Sequence, residues 1–436
     1  MSLVPEDVKD EVEDVEVPGE YEVFIEPTYP REIDIDDGIE RDIIIRQELF
    51  GVIRQYGNEF DVMRFSLSNK GKDAITVQVM SLGAALTGII CPDRNGVYRD
   101  VVLGFDDPQS YYSSTNPGFG RITSLCPLPY NLEKIVWDWD FDRDEGSVTF
   151  STTFYKIDTV LTVRYMLTTC NEIVVDMKAY GSKILPISLT NQVYWNMAGH
   201  YKGEAALKHH ALAINSDRIW KHHGYKLKNF IGVSGTRLDF RIPRLMDDTK
   251  VFGEANFEHV FVLTKGSEQR VAFAGRLIHP RSCRYVEIFS DQPWVLCNTF
   301  NKMPRAYPPG WDDLDICSSS EGADNDDDDL STCSTDEDDA AEGNDNFRGF
   351  SKISFPYMDE LNGKEGAAYQ KYGALCMTPL SDLTGFDPML RSSKPYSHRI
   401  IYKVGVYRKF MRPKPPLEEE GENELLFEDV QDFIHE

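Results

Sequence analysis

The chain has 436 residues, of which 41% are hydrophobic, so it can bury a large core as one large domain or two ordinary ones. No run of about 18 apolar residues occurs, and the N-terminus lacks the basic and apolar regions of a signal peptide, so we expect neither a membrane span nor a secretory leader. The formal net charge of −26 would indicate a uniformly acidic protein, but the charge is unevenly distributed.

Three segments carry the acidic excess. Residues 1–45 hold 16 acidic and 3 basic residues, residues 312–345 hold 15 acidic and no basic residues, and residues 413–436 hold 9 acidic and 1 basic residue. The remaining 333 residues therefore carry a net charge of +10. Acidic blocks of this kind are typical of disordered interaction segments. The sequence predicts a mildly basic globular body with acidic appendages.

The body is predicted to be rich in β-strands. Several runs alternate polar and apolar residues with period two, as expected for strands with one face on the core and one in water. In chain order these runs are 61–68, 74–80, 147–154, 159–165 and 172–177. Turn sequences such as Asn69-Lys70-Gly71 separate them, and we find no long amphipathic helix in the body. Many short strands without intervening helices favour an all-β fold, a large antiparallel β-sandwich.

The predicted domain organisation follows these composition changes. We expect a mostly disordered acidic segment at 1–45, a sandwich over 46–412 interrupted by a disordered acidic insertion at 312–347, and an acidic tail at 413–436. The insertion has strand-like sequence on both sides, so it lies within one domain. In the tail, Leu426, Phe427, Val430, Phe433 and Ile434 have helical spacing, which predicts a short amphipathic helix.

Six ordered sequence motifs resemble one known family. They are Gly83–Gly96, which resembles a first hairpin; Asp100–Asp106 (DVVLGFD); Gly118–Arg121, the start of GRxANR; Leu189–His200 (NHxYFNLxGH); and Gly363–Tyr369 with Gly373–Met377 (GKxGxxY and GxCLETQ). Together they resemble the aldose 1-epimerase, or galactose mutarotase, family over roughly residues 50–410. The resemblance implies a large antiparallel β-sandwich, in agreement with the strand pattern.

The resemblance also implies a chemistry that this chain lacks. Mutarotation requires a base at the anomeric hydroxyl and an acid at the ring oxygen, and the family uses a Glu and a His. Thr378 occupies the place of the Glu and Gln192 the place of the His. Neither an alcohol nor an amide transfers protons usefully near neutral pH. The second family His is also missing, since no His precedes His200.

The sugar-binding positions of the family are largely changed. Its Asn-Arg pair aligns with Ser124-Leu125, its Gln aligns near Leu296, and its Asp aligns with Glu258. The residues that remain as candidates for substrate binding are Asn191, Gln192, Tyr194, Glu258 and Ser124. An alternative is that Tyr194, Trp195 and Asn196 are retained for packing.

Two functional hypotheses follow. In the first, the chain is a catalytically inactive member of the family that acts as a carbohydrate-binding or protein-interaction module. In the second, it is an active aldose 1-epimerase that interconverts hexose anomers with a rearranged site, where Glu258, His259, Asp291 or Glu287 would supply the protons.

Further partners follow from charge and composition. The acidic tail predicts a contact with a protein partner or with the chain's own domain, and a hexose is the expected small ligand. The basic sequence at 407–414 is too short to favour nucleic-acid binding. The adjacent pairs His209-His210 and His222-His223 would point to opposite faces of a strand, so we expect no metal site, and no motif indicates a cofactor. The 8 Cys without CxxC spacing favour a cytoplasmic or nuclear protein.

Overall fold

The computed structural model describes residues 40–55, 57–114, 118–126, 128–220, 230–247, 257–266, 269–300, 361–381 and 389–407. The predicted acidic insertion, the C-terminal tail and most of the N-terminal segment lie outside these residues. The described part consists mainly of antiparallel strands, as the sequence predicts, with two short helices, α1 (Pro108–Ser113) and α2 (Gly203–Leu207). No helix in the described part is long and apolar enough to cross a membrane.

The strands are numbered in chain order. They are β1 (Ile43–Gln55), β2 (Asn58–Asn69), β3 (Thr76–Met80), β4 (Ala85–Pro92), β5 (Tyr98–Asp100), β6 (Ile122–Ser124), β7 (Asp138–Asp142), β8 (Ser147–Phe154), β9 (Thr159–Leu167), β10 (Glu172–Gly181), β11 (Leu185–Pro186), β12 (Leu189–Asn191), β13 (Tyr194–Trp195), β14 (Ala211–Ile214), β15 (Ser216–Trp220), β16 (Phe230–Gly232), β17 (Arg244–Leu245), β18 (Glu258–Leu263), β19 (Ala272–His279), β20 (Arg284–Ser290), β21 (Trp294–Asn298), β22 (Leu361–Asn362), β23 (Ala368–Tyr369), β24 (Leu375–Leu380), β25 (Met389–Leu390) and β26 (Tyr396–Val406).

Three sheets organise these strands. The first is a five-stranded meander of β1 to β5 in chain order. The second has nine strands in the order β17-β14-β19-β20-β26-β10-β9-β8-β7, and the third has six in the order β13-β24-β21-β18-β15-β16. Three two-stranded ladders, β6 with β12, β11 with β25 and β22 with β23, complete the described strands.

The main core lies between these sheets and explains the alternating sequence pattern. In β9, for example, Leu161, Val163 and Tyr165 are buried, while the residues between them are more exposed. Strand β1 begins at Ile43, three residues before the predicted start of the sandwich, because the buried Ile43 and Ile45 belong to this core. A second apolar cluster contains Phe119, Tyr194, Phe300, Leu361 and Tyr369, so both ends of the gap at 301–360 are anchored in it.

The six-stranded sheet presents two different faces. Phe261, Val295 and Met377 point into the main core. Because neighbouring side chains along a strand point to opposite faces, Val260, Leu296 and Thr378 project from the other face. This second face carries Thr378, at the position that the resemblance assigns to the catalytic base, and Leu296, near which a sugar-binding residue aligns.

Candidate ligand-binding site

Thr378, Leu296 and Val260 form one row across three neighbouring strands. Leu296 is paired with Thr378 on β24 and with Val260 on β18. Directly opposed residues in antiparallel strands project side by side from the same face. Thr378, at the position that the resemblance assigns to the family's base, is thus a neighbour of Leu296, near which the family's sugar-binding Gln aligns.

The Thr378 side chain is fully buried and bonded to a second protonated group. Its Oγ1 lies 3.0 Å from Sγ of Cys376, which is also buried. Burial raises the pKa of the Cys376 thiol to about 12, although the hydrogen bond from Thr378 opposes this shift. Because the thiol stays protonated at neutral pH, Cys376 does not replace the missing carboxylate base.

An apolar cluster covers the remainder of this face. Leu296 packs with Val260, Val262, Trp294 and Leu380, and Leu125 and Trp220 pack against them. The rings of Trp220 and Trp294 have centroids 5.4 Å apart, and Phe230 meets Trp294 edge-on at 6.3 Å. We call this set the apolar face. The apolar face includes Leu125, which aligns with the family's Arg, and Leu296, near which the family's Gln aligns.

Gln192 lies beside a turn that brings it close to a carboxylate. Its backbone oxygen accepts a hydrogen bond from the Gly120 N–H at 2.7 Å. Gly120 has φ 76°, and a Cβ there would lie 1.9 Å from the Leu86 carbonyl oxygen, so only glycine fits. A Cβ on Gly118 would lie 3.6 Å from Oε1 of Glu133 and 3.7 Å from Oε1 of Gln192, so both side chains border the same point.

The sequence analysis missed Glu133. Burial raises the pKa of this carboxyl group, while the nearby Arg121, a hydrogen bond with Thr123 and Lys134 lower it. In the sequence Glu133 stands next to Lys134 before the apolar run Ile135–Trp137, and this pattern alone does not indicate a functional residue. Its partner Arg121 is 3.8 Å away and fully buried, so the pair forms only when the chain folds.

Tyr194 is nearly buried in the second apolar cluster. Its ring packs edge-on against Phe119 and Phe300, and its hydroxyl is hydrogen-bonded to Asn298. Burial raises the pKa of the hydroxyl well above its usual value, and the charges of Glu258 and Glu133 raise it further. The Tyr194 hydroxyl is therefore neutral at physiological pH.

Glu258 and His259 point to opposite faces of β18 and do not form a pair. Glu258 is exposed and lies opposite Asn298. His259 contacts the rings of Phe257 and Phe261, and burial, with a contribution from Arg237, lowers the pKa of its imidazole to about 4. The alternation along the strand thus separates the two groups that a rearranged site would need together.

Asn191 and Ser124 are used internally. The carbonyl oxygen of the Asn191 side chain accepts a hydrogen bond from the Tyr402 hydroxyl at 2.9 Å, and Asn191 is fully buried. The Ser124 hydroxyl donates to the Cys126 backbone oxygen at 2.9 Å. The structure therefore brings Gln192, Tyr194 and Glu258 to one region, while Asn191 is buried against Tyr402 of the nine-stranded sheet.

Two other acidic candidates belong to ion and hydrogen-bond pairs elsewhere. Glu287 is on β20 of the nine-stranded sheet and pairs with Arg276. Asp291 accepts a hydrogen bond from the Arg399 N–H at 3.0 Å and another from the Gln292 amide at 2.7 Å. Neither carboxyl group has a contact with Thr378 or Gln192 among the described interactions.

Two buried cations hold the framework of the site. The Arg121 guanidinium donates to the backbone oxygens of Gly118, Tyr111 and Ser114. The Lys364 ammonium donates to Asp100 at 2.6 Å and to the backbone oxygens of Thr87 and Val102. Both cations lie in sequence motifs that the chain shares with the family, and both fix loops by bonding to backbone carbonyls.

The fold is that of a galactose mutarotase-like protein. The GalM/aldose epimerase homologue from C. elegans superposes with a TM-score of 0.56 at 18% identity, covering 82% of this chain and 99% of that one. A galactose 1-epimerase from Lactobacillus acidophilus superposes with a TM-score of 0.54 at 13% identity, covering 84% and 100%.

Sequence comparison finds similarity to the same group of proteins. The aldose 1-epimerase family model matches residues 136–320. Galactose mutarotase from Bos taurus is 27% identical over 283 residues, covering 55% of this chain and 78% of that protein. Aldose 1-epimerase from Escherichia coli K12 is 25% identical over 255 residues, covering 47% and 70%. The chain is thus similar in sequence to members of the aldose 1-epimerase (galactose mutarotase) family and shares their fold.

Proposed function

We propose that this protein is a non-catalytic member of its family and that it binds a protein partner through the apolar face. The observation that carries this proposal is the burial of Thr378 and Leu296, which are paired across two strands, together with the packing of Leu125 against the cluster that contains Leu296. Mutarotation needs a base and an acid at the sugar, and each contributes typically 10²–10⁴-fold to the rate. The side chains at these positions supply neither.

The loss of hydrogen-bonding groups favours a protein partner over a hexose. Sugar hydroxyls require several convergent polar groups, whereas Leu296 and Trp294 are apolar and nearly buried, which leaves Phe230, Trp220 and Leu125 as the accessible edge of the apolar face. Aromatic side chains with apolar neighbours are typical of the centres of protein interfaces. The exposed part of Phe230 and the half-buried Trp220 extend this surface toward solvent.

The test is a measurement of anomeric exchange in α-galactose and α-glucose by NMR. We expect exchange at the buffer rate, with bovine galactose mutarotase as the positive control. A rate well above that of the buffer would overturn the proposal. The same spectra report binding: shifts of protein signals without anomeric exchange would indicate a non-catalytic sugar-binding module, and unchanged signals support the protein-interaction module.

An active epimerase with a rearranged site is the second candidate. It is favoured by two carboxyl groups, the exposed Glu258 and the largely buried Glu133, whose charges add to the effect of burial on the pKa of the Tyr194 hydroxyl, since two carboxyl groups in different surroundings can act as acid and base. If the wild-type protein exchanges anomers, Glu133→Gln and Glu258→Gln should each reduce the rate at least about 100-fold. Equal rates in these variants would exclude both residues as proton carriers.

We also propose that the protein is located in the cytoplasm or nucleus. The six cysteines in the described part of the chain carry free thiols, and Cys91, Cys297 and Cys376 are buried. Reduced thiols of this kind suit a reducing compartment. Fractionation of cells that express the tagged chain tests this assignment.

A further inference from the structure

Four exposed cations lie on or beside Tyr201 and the two turns β4–β5 and β19–β20. They are Arg94, Arg99, Lys202 and Arg281. The Arg99 guanidinium lies 5.2 Å, and the Lys202 ammonium 4.6 Å, from the centroid of the Tyr201 ring. We call this surface the basic end.

The basic end is built where two hairpin turns pack together. The Arg94 N–H donates to the Ser282 backbone oxygen at 2.9 Å, which joins the β4–β5 turn to the β19–β20 turn. The buried Arg284 side chain donates to the Val97 backbone oxygen at 2.6 Å. Burial lowers the pKa of Arg284, and the nearby charge of Arg99 lowers it further. The cations are therefore held together by the fold.

The acidic groups near this surface are few and are already engaged. Asp93 lies 4.0 Å from Arg284 and accepts the N–H groups of Asn95 and Val97. Asp100 is bonded to Lys364. Glu365 is exposed, with its carboxylate 3.8 Å from His200. The four exposed cations outnumber the two carboxylates Asp93 and Glu365, so these groups together carry a net positive charge.

The chain leaves the described structure at this surface. Val406, the last residue of β26, is paired with Arg284, and the Tyr407 N–H donates to the Cys283 backbone oxygen at 2.8 Å. The sequence that follows includes Arg408, Lys409, Arg412 and Lys414, and residues 415–436 then contain 9 acidic residues and no lysine or arginine. The first of these acids, Glu418, is within about 40 Å of Tyr407 even at full extension.

We propose that the acidic residues 418–436 dock on the basic end of the same chain. Attachment beside the surface gives these residues an effective concentration in the millimolar range, so that individually weak charge contacts add up. The tail is favoured because its attachment point is bonded to one of the two turns that form the basic end: the Tyr407 N–H donates to the Cys283 backbone oxygen, next to Arg284. The acidic insertion joins the domain at Phe300 and Leu361, in the cluster against which Tyr201 packs, so the test below must separate the two segments.

The test is zero-length carbodiimide cross-linking of the full-length protein, followed by mass spectrometry. This reagent joins a lysine amine to a carboxylate only when the two are in contact. We expect links from Lys202 to acidic residues of 418–436, and we expect them to fall at least about fivefold in 1 M salt, where the screening length is about 3 Å.

A pair of charge-reversed variants makes the test specific. Arg94→Glu with Arg281→Glu should reduce the links between Lys202 and the tail at least about fivefold. Lys178→Glu with Lys156→Glu, two exposed positions distant from the basic end, should leave them unchanged. Equal thermal unfolding of the two double variants and the wild type confirms that each is folded.

Three outcomes would overturn the proposal. The first is retention of the links in Arg94→Glu with Arg281→Glu. The second is linkage of Lys202 to residues 312–345 in place of the tail, which would assign the basic end to the insertion. The third is linkage between molecules, shown by mixing isotope-labelled and unlabelled protein, which would assign it to a second copy.

Discussion

Around Arg121 and Lys364, buried charges are bonded to backbone oxygens, whereas across the apolar face the side chains at Leu296 and Leu125 make apolar contacts. Both regions correspond to motifs of the same family. In the first, the motif residues are retained, because their removal would leave buried polar groups without partners. In the second, the positions that the resemblance assigns to the sugar carry apolar residues that pack in or against one cluster. Similarity of the motifs therefore reports the framework of the fold, and the proposal that the reaction is absent needs a separate test.

Removal of the buried lysine should have the largest effect. Lys364→Met would leave the Asp100 carboxylate buried without its cation and should lower the free energy of unfolding by about 3–5 kcal/mol. Urea denaturation measures this change. The exposed Lys394→Met serves as the control and should remain within about 0.5 kcal/mol of the wild type. If Lys364→Met changes the free energy of unfolding only slightly, the buried charges around Lys364 are not needed for stability, and this region does not differ from the apolar face in that respect.

Introduction of a glutamate at Thr378, where the resemblance places the family's base, should destabilise the protein measurably, but less than Lys364→Met. Thr378→Glu would place a larger, ionisable group beside Leu296 and should lower the free energy of unfolding by about 2–4 kcal/mol. Thr378→Val keeps the shape and loses only the contact with Cys376, so its cost should be about 1 kcal/mol or less. Thermal unfolding of both variants measures the difference. If Thr378→Glu is as stable as the wild type, the apolar face still tolerates a polar site.

The smallest effect concerns pH. Burial lowers the pKa of His210 to about 4, below the value of about 6.5 expected in the unfolded chain. The unfolded state therefore binds more protons between these values, so stability is fully present above pH 6.5 and is lost as the pH falls toward 4. His210 should contribute up to about 2 kcal/mol of this loss between pH 7 and pH 5.

Denaturation of His210→Gln at several pH values checks this contribution, because the variant should show a shallower loss of stability in acid. The exposed neighbour His209→Gln is the matched control and should follow the wild type. An unchanged acid slope in His210→Gln would show that His210 is protonated in the folded protein.

The strands were predictable because their pattern is local. The runs 147–154 and 159–165 coincide with β8 and the greater part of β9, since one-sided burial imposes period two on the sequence. The strand ends were less accurate: β10 continues to Gly181 because it stays paired with β9. Cross-strand pairing fixes such ends, and pairing is not visible in a single run of sequence.

The candidate site was predictable in part. The alignment of Thr378 and Leu296 with family positions is compatible with their pairing across β21 and β24. Glu133 and Trp220 could not be identified, because their partners Arg121 and Trp294 are brought to them only by the turn at Gly120 and by the pairing of β18 with β15 and β21. Roles for Gln192, Tyr194, Glu258, Asn191 and Ser124 in ligand binding stay predictions.

Phe300 and Leu361 are buried in one apolar cluster, so the connection between them is a position at which the chain should tolerate insertions and deletions. Both residues are buried with Phe119 and Tyr369, so the sandwich holds the two chain ends whatever is inserted between them. Because the entropic cost of closing a loop grows only with the logarithm of its length, sequence added or removed there changes the stability of the fold little. The described sandwich should therefore tolerate a change in the length of this connection.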